Sequence, residues 1–248
     1  MNDKKIYHLH IPRTSGYGIA NALEKTFSEQ GFYLHKPTQS EIYSEDTFKD
    51  NPYVSGHFAS NPIFKNEDNY DVFSLIREPV QHYLSIAKYV AKSGNVAFDN
   101  HFLEEFMWGS VTPFGANELF SSSGNIQSKM LFCRLATCDD SVVALRDTDV
   151  ASKVNLVFIE SDLPTPELLE KEIENMNLFI MEDRKTAINW LADKVKFTYG
   201  LKLSENAHSK MNSIISQDFK ISHVAEQEIL KRSSLDFQLY DLVLCRHR

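Results

Sequence analysis

At 248 residues, with 42% hydrophobic and 24% charged residues, the chain is long enough for one α/β domain with a full core. Its formal net charge of -8 argues against nucleic acid as the main partner, because phosphate backbones are gripped through clustered Lys and Arg. A single nucleotide needs only a few local cations and stays open.

Cys133, Cys138 and Cys245 have neither metal-ligand nor redox spacing, and are expected to be unpaired thiols in a reducing compartment. The opening Met1-Asn-Asp-Lys-Lys-Ile-Tyr7 has neither the apolar stretch of a signal peptide nor a transit-peptide composition. The run Leu178-Phe-Ile-Met181 is far shorter than the ~20 residues of a membrane span. The expectation is a cytoplasmic protein that engages no membrane.

In chain order, Ile6-Tyr-His-Leu-His10 predicts a short strand, which breaks at Pro12 into a polar, glycine-bearing turn. A helix is expected from about Gly16, with Ile19, Leu23 and Phe27 four apart, stopping at Gly31. Residues 36–52 read as irregular, and Pro52-Tyr-Val-Ser-Gly56 as a short strand ending at His57. Tyr70-Asp-Val-Phe-Ser-Leu-Ile76 has the mostly apolar composition of a buried strand. Arg77-Glu78 ends it, and Pro79 opens a helix at the position where proline is welcome. That helix has Val80, Tyr83, Leu84, Ala87 and Val90 on its apolar face, and Gln81, Ser85, Lys88 and Lys92 on its polar side.

Residues 94–124, with Gly, Asn, Ser and scattered aromatics, read as an insertion near an active-site mouth. Helices are expected over Ile126 to Phe132 and Ser141 to Val150. A strand follows at Leu156-Val-Phe-Ile159, then a helix from near Pro166. Ser222 to Arg248 reads as helical with a break near Ser233-Ser234. Strands alternating with helices predict an α/β fold, a central parallel sheet flanked by helices in three layers. Residues 1–248 then form one domain.

The most informative segment is His10-Ile-Pro-Arg-Thr-Ser-Gly-Tyr-Gly18. A strand feeding a glycine-containing turn and a helix aims backbone N–H groups and the positive end of the helix dipole at a ligand above it. Arg13 adds a cation, and Thr14 and Ser15 add hydroxyls. The ATP-binding P-loop pattern is not met, since no glycine holds its first position and Tyr17 stands where it needs lysine. Arg77 emerges from a buried strand, and Ser85 lies about 9 Å beyond Pro79 along the next helix, within reach of an arginine. Both could hold one phosphate.

Together the two segments resemble the cosubstrate motifs of PAPS-dependent carbohydrate sulfotransferases of the heparan sulfate 2-O and 6-O type and their bacterial relatives, where PAPS is 3′-phosphoadenosine 5′-phosphosulfate. In that family a strand-loop-helix of the His-Ile-Pro-Lys-Thr-Gly-Gly-Thr-Ser kind holds the 5′-phosphosulfate. A strand ending in Arg-Asp-Pro, with a Ser eight residues after the Arg, holds the 3′-phosphate. Here these stand as His10 to Gly18, and as Arg77-Glu-Pro79 with Ser85. Ser55-Gly-His-Phe58 falls where the family carries its catalytic histidine. Asn125-Ile-Gln-Ser-Lys-Met-Leu131 and Leu235-Asp-Phe-Gln-Leu-Tyr240 are similar to two further family segments, in the family's order. Two departures stand out: Arg13 replaces the loop lysine, and Tyr17 and Gly18 replace the Thr and Ser after the glycines.

The resemblance implies a P-loop-like fold and transfer of a sulfuryl group from PAPS to a hydroxyl, with 3′,5′-adenosine diphosphate as product and no metal required. It implies that Arg13 and Thr14, Ser15, Gly16, Tyr17 and Gly18 hold the 5′ end, that Arg77 and Ser85 select the 3′-phosphate, and that His57 is the base. His10 and His8 are the next candidates for that base, and an unperturbed imidazole suits the task near neutrality. Gln127 and Lys129 could line the cleft, and Asn206, Ser209 and Lys210 could close a late loop over the nucleotide. The acceptor is expected to be a small molecule or a glycan. The alternatives are a homologue that binds the nucleotide without chemistry, which Tyr17 and Gly18 permit, and a P-loop kinase of small substrates.

Overall fold

A computed structural model of the chain describes residues 4–14, 16–28, 52–56, 70–107, 124–133, 160–205 and 219–247. Among them, β1 (Lys5–Leu9), β2 (Tyr53–Gly56), β3 (Tyr70–Ile76) and β4 (Asn177–Ile180) form one all-parallel sheet in the order β2-β1-β3-β4. Ile6 pairs with Tyr53 on one side and Asp71 on the other, and Phe73 pairs with Asn177. The strands are short and largely apolar on both faces, as expected for a parallel sheet covered on both sides.

The described helices are α1 (Gly16–Ser28), α2 (Pro79–Ser93), α3 (Asn100–Met107), α4 (Ile126–Phe132), α5 (Pro166–Glu172), α6 (Arg184–Tyr199), α7 (His223–Arg232) and α8 (Ser234–Arg246). On one face Ile6, Tyr53, Phe73 and Phe179 pack with Ile19, Leu23 and Phe27 of α1 and Ile188, Leu191 and Val195 of α6. On the other, Tyr7, Leu9, Val54 and Ile76 pack with Tyr83, Leu84 and Ala87 of α2, and with residues of α3, α4, α5, α7 and α8. The described residues thus form an α/β protein in which a four-stranded parallel sheet is flanked by helices. Among the described residues, no helix is long and apolar enough to cross a membrane.

β1 lies between β2 and β3, so the chain leaves it toward one side of the sheet and returns on the other. The helices following β1 and β3 then cover opposite faces, the switch in topology at which open α/β sheets form a crevice at the carboxyl ends of two such strands.

Three elements, α3, β4 and α6, add to the sequence-based expectation. Part of the expected insertion at 94–124 is the amphipathic helix α3, which buries Phe102, Leu103, Phe106 and Met107. Its start is capped by Asp99, whose carboxylate accepts from the Phe102 N–H at 2.8 Å. β4 and α6 were not expected: the run at 178–181 read only as too short for a membrane span, yet Leu178, Phe179 and Ile180 belong to a strand that pairs with β3. The expected helix at Ser141–Val150 and strand at Leu156–Ile159 lie outside the described residues.

Candidate functional site

The segment after β1 is a tight turn. The Thr14 N–H and hydroxyl both donate to the Ile11 carbonyl, at 3.3 and 2.7 Å, so the Thr14 hydroxyl hydrogen serves the turn itself. Arg13 sits at φ 67°, in the left-handed region that a non-glycine residue enters at a cost of about 1–3 kcal/mol. Contacts from β3 and α2 hold it there. His82 donates from Nε2 to the Pro12 carbonyl at 2.8 Å, and Arg77 Nη1 donates to the Arg13 carbonyl at 3.4 Å. Arg13 Nε donates to Ser85 Oγ at 3.2 Å, and its guanidinium carbon lies 5.0 Å from the centre of the Tyr89 ring.

Arg77 leaves the end of β3 with its main chain locked by one side chain. Its N–H donates to Gln127 Oε1 and its carbonyl accepts from Gln127 Nε2, both at 2.8 Å. Gln127 is in turn fixed by Asp236 of α8. That carboxylate caps the start of α4, accepting from Gln127 N–H at 3.1 Å, Ser128 N–H at 2.8 Å and Ser128 Oγ at 2.6 Å. The cap is returned: Asn125 Oδ1 accepts from the Leu235 and Asp236 N–H groups at 2.8 and 3.2 Å, at the start of α8. Burial pushes the Asp236 carboxyl up to about 6, against the opposing pull of the bonds from Ser128 and Gln127 and the charge of Lys129.

Arg77 is 4% exposed, and among the described residues its Nε has no hydrogen-bond partner. A buried polar donor left in that condition is costly, and more so when it belongs to a charged group. Burial lowers the pKa of Arg77; Glu182 and Glu78 oppose that shift and the nearby positive charge of Arg13 adds to it. Glu78 caps α2, accepting from Val80 and Gln81 N–H at 3.1 and 2.8 Å, and its own N–H donates to Glu182 Oε1 at 3.3 Å. Two guanidinium groups and a hydroxyl thus converge at the carboxyl ends of β1 and β3, near the starts of α1 and α2. The chemistry suits an anion with several oxygens. Among the described residues, no group of three or more His, Cys, Asp or Glu could hold a metal ion.

Of the residues expected from sequence, Arg13, Thr14, Arg77 and Ser85 come together here. The backbone of Gly16, Tyr17 and Gly18 forms the first turn of α1. Gln127 and Lys129 are buried, at 0% and 1% exposure, and Gln127 acts on the crevice through the Arg77 main chain. His8 is buried, with Nδ1 2.9 Å from Ser55 Oγ, and its ring makes stacked contacts with those of Phe73 and the half-buried His10. Ser15, His57, Asn206, Ser209 and Lys210 lie outside the described residues.

Sequence reasoning missed His82, Tyr89 and the linking role of Asp236. The signal was spacing: 82, 85 and 89 fall at i, i+3 and i+7, one stripe of α2, and the stripe faces the Pro12-Arg13 turn.

His82 is buried beside two arginines, and burial drops its pKa to about 4 from the ordinary 6.5; the Pro12 carbonyl bond opposes the drop, and Arg77 and Arg13 add to it. The neutral ring is therefore the folded form, its contribution to stability complete above about pH 6.5. That contribution falls as acid protonates the unfolded chain, with about 3 kcal/mol gone once the pH drops below 4. In urea titrations across this window, His82→Leu should lose less stability on acidification than the parent. Equal losses would show that His82 does not carry the effect.

Compared with known proteins, the chain matches no family model, and no curated protein matches it.

Proposed function

We propose that the crevice binds PAPS and that the protein, built on a P-loop-like version of the three-layer fold, transfers its sulfuryl group to an acceptor hydroxyl, most naturally that of a carbohydrate. The observation that carries this reading is the meeting of two loops distant in sequence. Arg13 and Ser85, 72 positions apart, are joined by a 3.2 Å hydrogen bond, and Arg77 reaches the Arg13 carbonyl. A carrier with anionic groups at both ends of one adenosine needs such a pair of neighbouring cationic loops.

When bound, PAPS supplies an activated sulfuryl group for in-line transfer, a reaction advanced chiefly by positioning and charge stabilisation. Arg77 and Ser85 are assigned the 3′-phosphate, which the buried Arg77 Nε, without a hydrogen-bond partner among the described residues, favours. Selection against ATP follows, because a buried cation left without its anion costs heavily. Arg13 and the first N–H groups of α1 are assigned the 5′ end, where Arg13 steadies negative charge as the product departs. His57, which follows the end of β2, is assigned the removal of the acceptor proton.

The test is thermal unfolding without metal, in the presence of 3′,5′-adenosine diphosphate, 5′-AMP or ATP. At about 100 times Kd, the first should raise stability by about 2.7 kcal/mol, or roughly 5–10 °C for a chain of this length. The other two should do little, and a preference for ATP would remove the reading. With PAPS and a panel of sugar acceptors, His57→Ala should keep the shift and lose transfer. A shift in the parent without transfer to any acceptor would mark a binding protein that lacks the chemistry.

A further inference from the structure

We infer that Tyr89 is a positioning residue that converts Arg13 into a fixed planar fork, so that the crevice is built for arginine and lysine cannot replace it. The inference rests on reading the crevice as an anion site. Three residues on one stripe of α2 grip the turn in succession. His82 Nε2 holds the Pro12 carbonyl at 2.8 Å, Ser85 Oγ receives Arg13 Nε at 3.2 Å, and Tyr89 stands 5.0 Å from the guanidinium carbon. Arg77 Nη1 takes the carbonyl that the left-handed Arg13 backbone turns toward it.

The geometry divides the guanidinium's work. Its Nε–H is directed at Ser85 and the Tyr89 ring lies against the group, which leaves the two terminal nitrogens to face a ligand with their orientation set. An ammonium has no plane to stack and no inner N–H to anchor, so a lysine at position 13 would keep the charge and lose the geometry. Tyr89 itself is 38% exposed, so it contributes little to the core, and its role should appear in binding and not in folding.

The experiment is a double-mutant cycle on the full chain, read by calorimetric titration with two probes, 3′,5′-adenosine diphosphate and inorganic pyrophosphate. Tyr89→Ala should weaken binding about fourfold, the range of a partly exposed cation–π contact, while its melting temperature stays within about 1 °C of the parent. Tyr89→Phe should restore parental affinity. Arg13→Lys should weaken binding at least tenfold, and Tyr89→Ala should cost clearly less in that background than in the parent. The inference is overturned if Arg13→Lys binds as the parent does, or if Tyr89→Ala weakens the lysine protein as much as the arginine one. Binding of pyrophosphate without the adenosine diphosphate would fail the PAPS reading alone, with the cycle still read on pyrophosphate. Binding of neither probe overturns both.

Discussion

An Arg77→Met protein is expected to fold at least as stably as the parent and to lose about 100-fold in affinity for 3′,5′-adenosine diphosphate. The two effects have one cause. Arg77 is almost wholly buried; among the described residues its Nε has no partner and its Nη1 makes a long bond of 3.4 Å to the Arg13 carbonyl. A buried charge in that state burdens the ligand-free fold, and an apolar side chain of similar length fills the same space without it. The hydrogen bonds that tie this position to Gln127 use the main chain, so they survive the substitution. What is lost is the charged donor that an anion would meet. Denaturant titration reads the first effect and calorimetry the second, with 5′-AMP as the control that lacks the 3′-phosphate. Affinity within threefold of the parent would mean that the 3′-phosphate is held elsewhere. A destabilisation of several kcal/mol would mean that the guanidinium is a structural prop.

How much of this was legible beforehand depends on how local each feature is. β1, β2, β3 and the start of α2 follow from short apolar runs broken by Pro12 and by Arg77-Glu78-Pro79, and all four were read from sequence within a residue or so. The buried faces of α1 and α2 were equally plain. Ser85 was not: a helical wheel assigns it to the polar side with Gln81 and Lys88, yet it is 2% exposed because the Pro12-Arg13 turn lies over it. Periodicity along one helix cannot reveal that another loop covers it; the sheet order decides that, and sheet order is set by long-range pairing. Gln127 illustrates the same limit from the other side. It looks like a polar helix residue open to a cleft, and becomes a buried bracket only once Asp236, 109 positions away, and the Arg77 main chain are in place. α3 was hidden by composition, because the surrounding Gly, Asn and Ser outweighed the spacing of Phe102, Leu103, Phe106 and Met107. β4 is no shorter than β2, but it lacks the Pro52 and Gly56 that mark the ends of β2, and Asn177-Leu-Phe-Ile180 runs straight into Met181.

The linkage from α8 to Arg77 makes a second prediction that separates stability from binding. Asp236→Ala removes the acceptor for the Gln127 and Ser128 N–H groups inside a region where both residues are fully buried. Each orphaned buried donor costs about 1–3 kcal/mol, so the loss should be about 4 kcal/mol, a large share of the ~5–15 kcal/mol that holds a typical domain together. Asp236→Asn keeps an acceptor for Ser128 but turns an amide toward the Gln127 N–H, and should cost about half as much; it also serves if the alanine protein fails to fold. Because Gln127 brackets Arg77 from both sides, the same variants should weaken 3′,5′-adenosine diphosphate binding about tenfold at temperatures where they remain folded. Leu239→Ala, one turn along the same helix and buried in the core, should destabilise by a similar 2–5 kcal/mol without touching the bracket. If that control loses as much affinity as Asp236→Asn at matched stability, the hydrogen-bond chain carries no positional information to the crevice. If it does not, the bonds joining Asn125, Gln127 and Asp236 lock α4 to α8 so that one arginine is aimed.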